Sequence, residues 1–377
     1  NEAEEISDNI GFPILVRHSF VLGGRAMEIV YDQAGLVNYL RESAGEINHE
    51  HPVLIDHFIE DAFEFDVDAV CDGSETVICG IMQHIEEAGI HSGDSACVLP
   101  PLVLTNDVRE RMIDTTKRLA DALDVIGLIN IQYALQGDEL FVLEVNPRAS
   151  RTVPFVSKAT GVNWVQVATR CIVGQTLNEQ KIIQNLEFNH FAVKEVVFPF
   201  NRFEGVSTFL GPEMRSTGEV MGIADTFSEA YSKALYASGD YLPTKGKVFI
   251  SINERDHERV VPIAQKLSEL GFEIIATRGT GETLRSHGIE SEFVYKVNEG
   301  RPNIIDHMKN NDVQLLINTP LGSESYYDER IVGETAYRMG LPLITTLPAA
   351  KAVVAAIEAI GNKPLKPIKL QELWDDK

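Results

Sequence analysis

Residues 128–162 read LINIQYAL-QGD-ELFVLEVN-PRASRTVPFVSKATGV, and their pattern decides the fold. LINIQYAL (128–135) and ELFVLEVN (139–146) are two strand-like runs around the turn Gln136-Gly137-Asp138, which together predict a hairpin. Gln132 lies six residues before Asp138 and Glu144 six after it, so folding near Asp138 sets their side chains roughly opposite one another. Strand alternation puts Asn146 on the same face as Glu144. One carboxylate and two carboxamides on one face form a hard oxygen cluster suited to Mg2+ or Mn2+ bridging nucleotide phosphates. Arg148 and Arg151, just beyond, can reach phosphate oxygens as bidentate donors. An ordinary solvated hairpin face accounts for the same residues equally well on spacing alone.

Working outward, 14–20 and 25–31 read as two strands joined through Val21-Leu22-Gly23-Gly24, with further strand-like runs at 53–59, 65–71 and 76–84. A helical period covers 107–123, with Val108, Met112, Leu119 and Leu123 on one face. Residues 155–175 are helix-rich. Residues 190–240 are mixed, with turns at Gly205 and Gly211-Pro212 and a helical pattern at 227–238. After the linker SGDYLPTKGK (238–247) the texture changes. Five apolar runs at 247–252, 272–277, 292–297, 312–318 and 341–346 alternate with helical segments at 256–270, 280–287, 303–310, 328–339 and 348–360, which predicts a doubly wound parallel α/β domain. The divisions expected are 1–175, 176–240 and 241–377, the last ending in a loose tail.

The 377 residues suffice for two or three domains. Lys and Arg number 33 against 56 Asp and Glu, a net charge of −23, which disfavours nucleic acid as a partner. Four cysteines without a C-x-x-C pair give no zinc or redox motif, and scattered thiols suit the cytoplasm. No apolar run is long enough to span a bilayer and no signal peptide opens the chain. The chain begins at Asn1 with amphipathic sequence under way by Ile6–Ile10, which reads as a start inside a longer protein.

EVNPRASRTVPFVSKATGV (144–162) resembles the signature stretch of carbamoyl-phosphate synthase large chains. Within it, Arg151-Thr152-Val153-Pro154-Phe155 resembles the second of the family's two ATP-grasp halves, which phosphorylates carbamate. RHSFVLGGRAMEIVY (17–31) resembles the family's Gly-rich hairpin over the triphosphate, with Gly23 and Gly24 letting backbone N–H groups approach phosphate. Arg17 stands where the family has a phosphate-contacting arginine, and His18 where it has proline. In IDHFIEDAFEFDVDAV (55–70) the resemblance assigns His57 and Ile59 to the adenine hinge and Glu64 to the ribose hydroxyls. In GIHSGDSA (89–96) it assigns Gly89, Ile90, His91 and Ser92 to the nucleotide pocket.

The resemblance implies an incomplete ATP-grasp domain, truncated at its N-terminus. Gln132 and Glu144 would meet ATP and metal, Asn146 metal, and Arg148 and Arg151 phosphate and carbamate. It implies ATP, Mg2+ or Mn2+, carbamate, a separate glutamine amidotransferase small subunit, and a place in arginine and pyrimidine biosynthesis. Lacking the family's first half and the earliest strands of this fold, the chain alone is expected to be inactive. His91-Ser92-Gly93-Asp94-Ser95 offers no hydrolytic triad, since neighbours in sequence do not converge and no G-x-S-x-G elbow occurs.

Residues 247–360 resemble the methylglyoxal-synthase-like domain that ends these large chains and binds allosteric effectors. Thr277-Arg278-Gly279-Thr280-Gly281 follows a strand and opens a helix, a loop that offers hydroxyls, N–H groups and a helix dipole to phosphate. An ordinary strand-to-helix turn reads the same way. Lys296, after the third strand, and Asn318-Thr319, after the fourth, fall at strand carboxyl ends. By resemblance Ser251, Thr277, Gly279, Thr280, Lys296 and Asn318 would hold a nucleotide monophosphate. His257 and Pro320 stand where nucleotide-regulated relatives carry Lys and Thr. Glu86, Asp94 and Glu195 match ornithine positions, but LITTL (343–347) lacks the Tyr-Asp pair that accompanies them. INTPLG (317–322) has no carboxylate base for methylglyoxal synthase chemistry. A non-catalytic nucleotide-binding module is the alternative from a different class. A biotin-dependent carboxylase is disfavoured by RTVPFVSKATG and the appended domain.

Overall fold

The structure, a computed structural model, describes residues 2–19, 27–42, 52–86, 88–182, 189–198, 210–211, 213–319, 323–362 and 365–374. The expected Gly-Gly turn at Gly23 and Gly24, the turn at Gly205, and Pro320 lie outside the described residues. Two compact units divide the chain: the described residues within Asn1–Ser95, Leu99–Glu187 and Leu210–Arg215, and those within Ala96–Val98, Phe188–Phe209 and Ser216–Lys377.

In chain order the elements are α1 (Glu2–Ile10), β1 (Ile14–His18), β2 (Glu28–Val30), α2 (Gln33–Glu42), β3 (Val53–His57), β4 (Phe63–Asp72), β5 (Thr76–His84), β6 (Cys97–Leu99), α3 (Asn106–Ala122), β7 (Ile126–Gln136), β8 (Glu139–Asn146), α4 (Val153–Thr160) and α5 (Trp164–Ile172). There follow β9 (Phe191–Val197), β10 (Gly218–Ala224), α6 (Phe227–Ser238), β11 (Gly246–Ile252), α7 (His257–Glu269), β12 (Phe272–Ala276), α8 (Arg278–Ser286), β13 (Glu292–Phe293), α9 (Ile304–Lys309), β14 (Leu315–Thr319), α10 (Ser323–Met339), β15 (Leu343–Ile344) and α11 (Leu347–Asn362).

The first unit carries a three-stranded sheet, β2-β1-β3, and the strand order β5-β4-β7-β8. Alternation along β1 buries Ile14, Val16 and His18 and turns Leu15 and Arg17 the other way. Ile14, Val16, Val30, Leu36 and Tyr39 make a small core there. A larger core gathers Phe65, Val67, Ile129, Ile131 and Tyr133 beneath α3. The buried stripe of α3 differs from the expected one: Val108, Met112, Thr116 and Ala120 fill it, while Leu119 packs at its edge. Leu123 is the residue at which the helix ends, and it is half exposed. Thr116 earns its buried place through a 2.8 Å hydrogen bond with the Tyr133 hydroxyl.

In the second unit β9 and β10 pair antiparallel, and α6 lies on them. A Cβ at Gly222 would run into the backbone of α6 at Ala230, so glycine is what permits this close approach. Helix α6 also packs on α11, where the Ser232 hydroxyl donates to the Ala356 carbonyl. The C-terminal sheet has the order β13-β12-β11-β14-β15 with every pairing parallel, the doubly wound arrangement expected. The third strand is shorter than its apolar run, because past Phe293 the chain turns at 297–299 and the Lys296 N–H bonds Glu299. Asn318 and Thr319 belong to β14 itself rather than following it. No helix among the described residues is long and apolar enough to cross a membrane.

Candidate functional site

The β7–β8 ladder pairs Gln132 with Glu144 and Asn130 with Asn146. Nearer the turn the register is offset by one: Gln136 faces Glu139 and Tyr133 faces Val142, leaving Leu143 as a bulge. The turn is therefore two residues, Gly137-Asp138, with Gly137 at φ +58°. Without the extra residue, that turn would set Gln132 against Leu143. The Asn146 amide donates to Glu144 Oε1 at 2.5 Å, so these two side chains share a face. Gln132 Nε2 donates to the Ser92 hydroxyl at 2.7 Å, which ties the 89–95 segment to the hairpin. Glu144 is exposed, and Gln132 and Asn146 are half-buried.

Beneath this open face runs a buried polar strip that sequence reasoning found only at Glu64. On β4, Asp66 pairs with Gln132 and Asp68 with Asn130, so Glu64, Asp66 and Asp68 share the hairpin's polar side. His84 lies between two carboxylates, Nδ1 3.2 Å from Glu64 Oε2 and Nε2 2.8 Å from Asp66 Oδ2. Asn130 Nδ2 donates to Asp66 Oδ1 at 3.1 Å and to Asp68 Oδ1 at 2.9 Å. Asp68 further accepts from the hydroxyls of Ser150 at 2.8 Å and Thr152 at 2.7 Å. Burial pushes the Asp68 carboxyl up to about 6, with the Asp66 charge acting the same way and the Thr152, Asn130 and Ser150 donors opposing it. The signal was present in Glu64-Phe65-Asp66-Val67-Asp68, where carboxylates recur with the strand period of two.

The other expected pocket residues fall in several places. The Gly89 N–H donates to Glu64 Oε1 at 3.1 Å, and a Cβ on Gly89 would come within 2.9 Å of the Phe58 ring. Phe58, which lies between His57 and Ile59 just past the end of β3, thus packs against Gly89. His91 Nδ1 accepts the Gly93 N–H at 2.9 Å. Burial lowers the His91 pKa; Asp94 and Glu144 pull it up and Arg151 pushes it down, so His91, Glu144 and Arg151 share one electrostatic neighbourhood. Arg148 and Arg151 are exposed, and Arg148 Nη1 donates to the Ala149 carbonyl at 3.1 Å. Arg17 is paired with Asp56 of β3 at 3.2 Å, a partner that sequence alone did not reveal.

In the C-terminal sheet, Ser251 sits beside Asn318 in the β11–β14 pairing, where strand order reverses. Thr277 Oγ1 donates to Ser251 Oγ at 3.2 Å and lies 3.4 Å from Thr280 Oγ1. Thr280 Oγ1 accepts the Ile252 N–H at 3.0 Å. Thr277 is the N-cap of α8, so the helix's first N–H groups have no intrahelical acceptor. His257 lies against this loop: Gly279 would place a Cβ 3.0 Å from its ring, and its Nε2 is 3.2 Å from the Ile252 carbonyl. Lys296 is exposed, and among the described residues its side chain makes no hydrogen bond or ion pair with the loop. Among the ornithine positions, Asp94 accepts the Arg215 N–H at 2.7 Å.

Residues 1–180 match the carbamoyl-phosphate synthase L chain ATP-binding domain family, and residues 259–345 match the MGS-like domain family. The carbamoyl phosphate synthase large chain of Acidobacterium capsulatum is 51% identical over 378 residues, covering 99% of this chain and 34% of its own length. That of Archaeoglobus fulgidus is 52% identical over 376 residues, covering 100% of this chain and 35% of its own length. The chain thus spans about a third of the length of these curated relatives. Among solved structures, the biotin carboxylase domain of Hydrogenobacter thermophilus 2-oxoglutarate carboxylase, in complex with MgADP, ADP and bicarbonate, matches with a TM-score of 0.50 at 18% identity. It covers 62% of this chain and 59% of the other. At that identity the likeness is one of fold alone.

Proposed function

We propose, for a chain that belongs to the carbamoyl-phosphate synthase large-chain family, that its first 180 residues bind ATP with Mg2+ or Mn2+ and serve the phosphorylation of carbamate to carbamoyl phosphate. The observation that carries this reading is the register placing Gln132 opposite Glu144, with Asn146 hydrogen-bonded on the same face. One carboxylate and two carboxamides on an open strand face fit a hard divalent cation, which would neutralise phosphate charge there. Arg148 and Arg151 meet the oxygens of the transferring phosphoryl group and of carbamate. Carbamate oxygen attacks the γ-phosphorus, the bond to the β–γ bridging oxygen breaks, and ADP leaves. No protein nucleophile is required. Gly89, Ile90, His91 and Ser92, with His57, Ile59 and Glu64, line the nucleoside end, and Arg17, Gly23 and Gly24 cover the phosphates.

Around this core we place a glutamine amidotransferase small subunit as the partner of the full-length large chain, arginine and pyrimidine synthesis as the destination, and the cytoplasm as the compartment. Residues 1–175 are read as the ATP-grasp domain, 176–240 as the remainder of the synthetic region and 241–377 as the effector domain. There Ser251, Thr277, Gly279, Thr280, Lys296 and Asn318 bind a nucleotide monophosphate. The 377-residue chain by itself binds nucleotide without turning carbamate over. The test is Glu144→Gln in the full-length large chain assembled with its small subunit. Carbamoyl phosphate formation should be lost while glutamine hydrolysis persists; undiminished synthesis would overturn the assignment.

A further inference from the structure

The segment that follows β8 carries both arginines of the proposed phosphate site, and a single buried carboxylate grips it on either side of Arg151. We propose that Asp68 is a positioning residue that clamps Ser150 and Thr152 and thereby fixes where Arg151 points. This rests on the reading of Arg151 as a phosphate ligand. Asp68 is completely buried in the middle of β4, and Asn130 of the adjacent strand donates to it as well. The two hydroxyl oxygens lie 2.8 Å apart, so Asp68, Ser150 and Thr152 form a tight triangle next to the exposed Arg151.

The geometry of Thr152 points independently in the same direction. It occupies the N-cap position of α4, where a threonine hydroxyl ordinarily accepts an N–H from the helix's first turn. Here it makes no such bond; the hydroxyl is turned to Asp68 instead. A helix cap has been given up for a link between a strand and the arginine-bearing segment. The carboxyl itself is held at a cost, since burial raises its pKa to about 6. An apolar residue there would leave the Asn130, Ser150 and Thr152 donors without their acceptor, so the buried carboxyl is accounted for by what it holds. Through Asn130, Asp68 is also tied to Asp66, the residue paired with Gln132, so the clamp and the hairpin face share one network.

The test uses the 377-residue chain, calorimetric titration with MgATP, and backbone hydrogen exchange at residues 148, 149 and 151. Thr152→Val removes the hydroxyl and keeps the shape; Thr152→Ser keeps the hydroxyl. We expect Thr152→Val to weaken MgATP about fivefold, the scale of one hydrogen bond, with Thr152→Ser close to the parent. Asp68→Asn should weaken binding too, yet combined with Arg151→Ala it should be no weaker than Arg151→Ala alone, because both act through one guanidinium. Equal losses in the Val and Ser variants, or additive losses in the double variant, would overturn the clamp. If Arg151→Ala leaves MgATP binding unchanged, the reading of Arg151 fails, and exchange then decides the clamp by itself. Faster exchange at 148, 149 and 151 in Thr152→Val, with the rest of the first unit unchanged, upholds it, and unchanged exchange there rejects it.

Discussion

Gln132 faces Glu144 across the β7–β8 hairpin because Leu143 bulges out of the ladder between them and the turn. A bulge shifts every pair beyond it by one, and in a strand a shift of one exchanges the two faces. Ile131 stays paired with Val145 against the core, and Gln132, Glu144 and Asn146 keep the polar side. Deleting Val142 together with Leu143 would leave a ladder in which these residues no longer meet, and MgATP binding should fall with it.

Two aspartates on β4 titrate in opposite senses. Asp68 is raised to about 6 in the fold against an ordinary value of 3.8, so the folded state favours the protonated form, and stability is lost as pH rises between those values. A shift of that size corresponds to up to about 3 kcal/mol. Asp72 goes the other way. Partial burial pushes it up, but the N–H groups of Leu177, Glu75 and Ser74 and the Ser74 hydroxyl outweigh this and hold it at about 2. Its contribution is present above 3.8 and is lost as pH falls towards 2. Urea unfolding at pH 4 and pH 7 should show Asp68→Asn losing less stability than the parent over that interval. Parallel profiles would contradict the assignment.

Gly89 has φ +101°, and a Cβ there would meet Phe58 at 2.9 Å and Ile29 at 3.1 Å. Gly89→Ala should therefore cost about 1–3 kcal/mol through backbone strain and crowding. It should also weaken MgATP binding, since the Gly89 N–H to Glu64 bond sets the pocket backbone. Thermal unfolding and nucleotide titration would check both; an alanine variant as stable as the parent would refute the close approach.

In the effector domain, Thr280 accepts the buried Ile252 N–H, so Thr280→Ala should lower stability by about 1–3 kcal/mol whatever the ligand does. Lys296→Ala, at an exposed position, is the cleaner probe. Titration with uridine and inosine monophosphates should show binding that Lys296→Ala weakens by roughly one to two orders of magnitude at unchanged Tm. Binding indifferent to Lys296 would place the phosphate elsewhere.

The five parallel strands of the second unit were legible because each is an apolar run between helical periods. The shared face of Gln132, Glu144 and Asn146 was legible because these residues alternate about a marked turn. The bulge at Leu143 was not, since nothing local distinguishes a two-residue turn plus a bulge from a longer turn. Arg17 read as a free phosphate ligand because its partner Asp56 is 39 residues away. His84 and Asn130 escaped notice because each is an ordinary polar residue in its own strand, and the alternation of Glu64, Asp66 and Asp68 marks a polar strand face without showing what it meets. Only the pairing of β4 with β7 brings their side chains into one network. The antiparallel pair β9–β10, with Gly222 against α6, lay inside a stretch too mixed in period to assign.

On the reading proposed above, the hairpin face holds a divalent cation and through it the phosphates of ATP. Calorimetric titration of the 377-residue chain with ATP, in Mg2+ and again in EDTA, tests it most directly when repeated on Glu144→Gln. Binding should require Mg2+ in the parent and be weakened at least tenfold in Glu144→Gln, about 1.4 kcal/mol or more. Metal-independent binding of equal affinity in both proteins would contradict it.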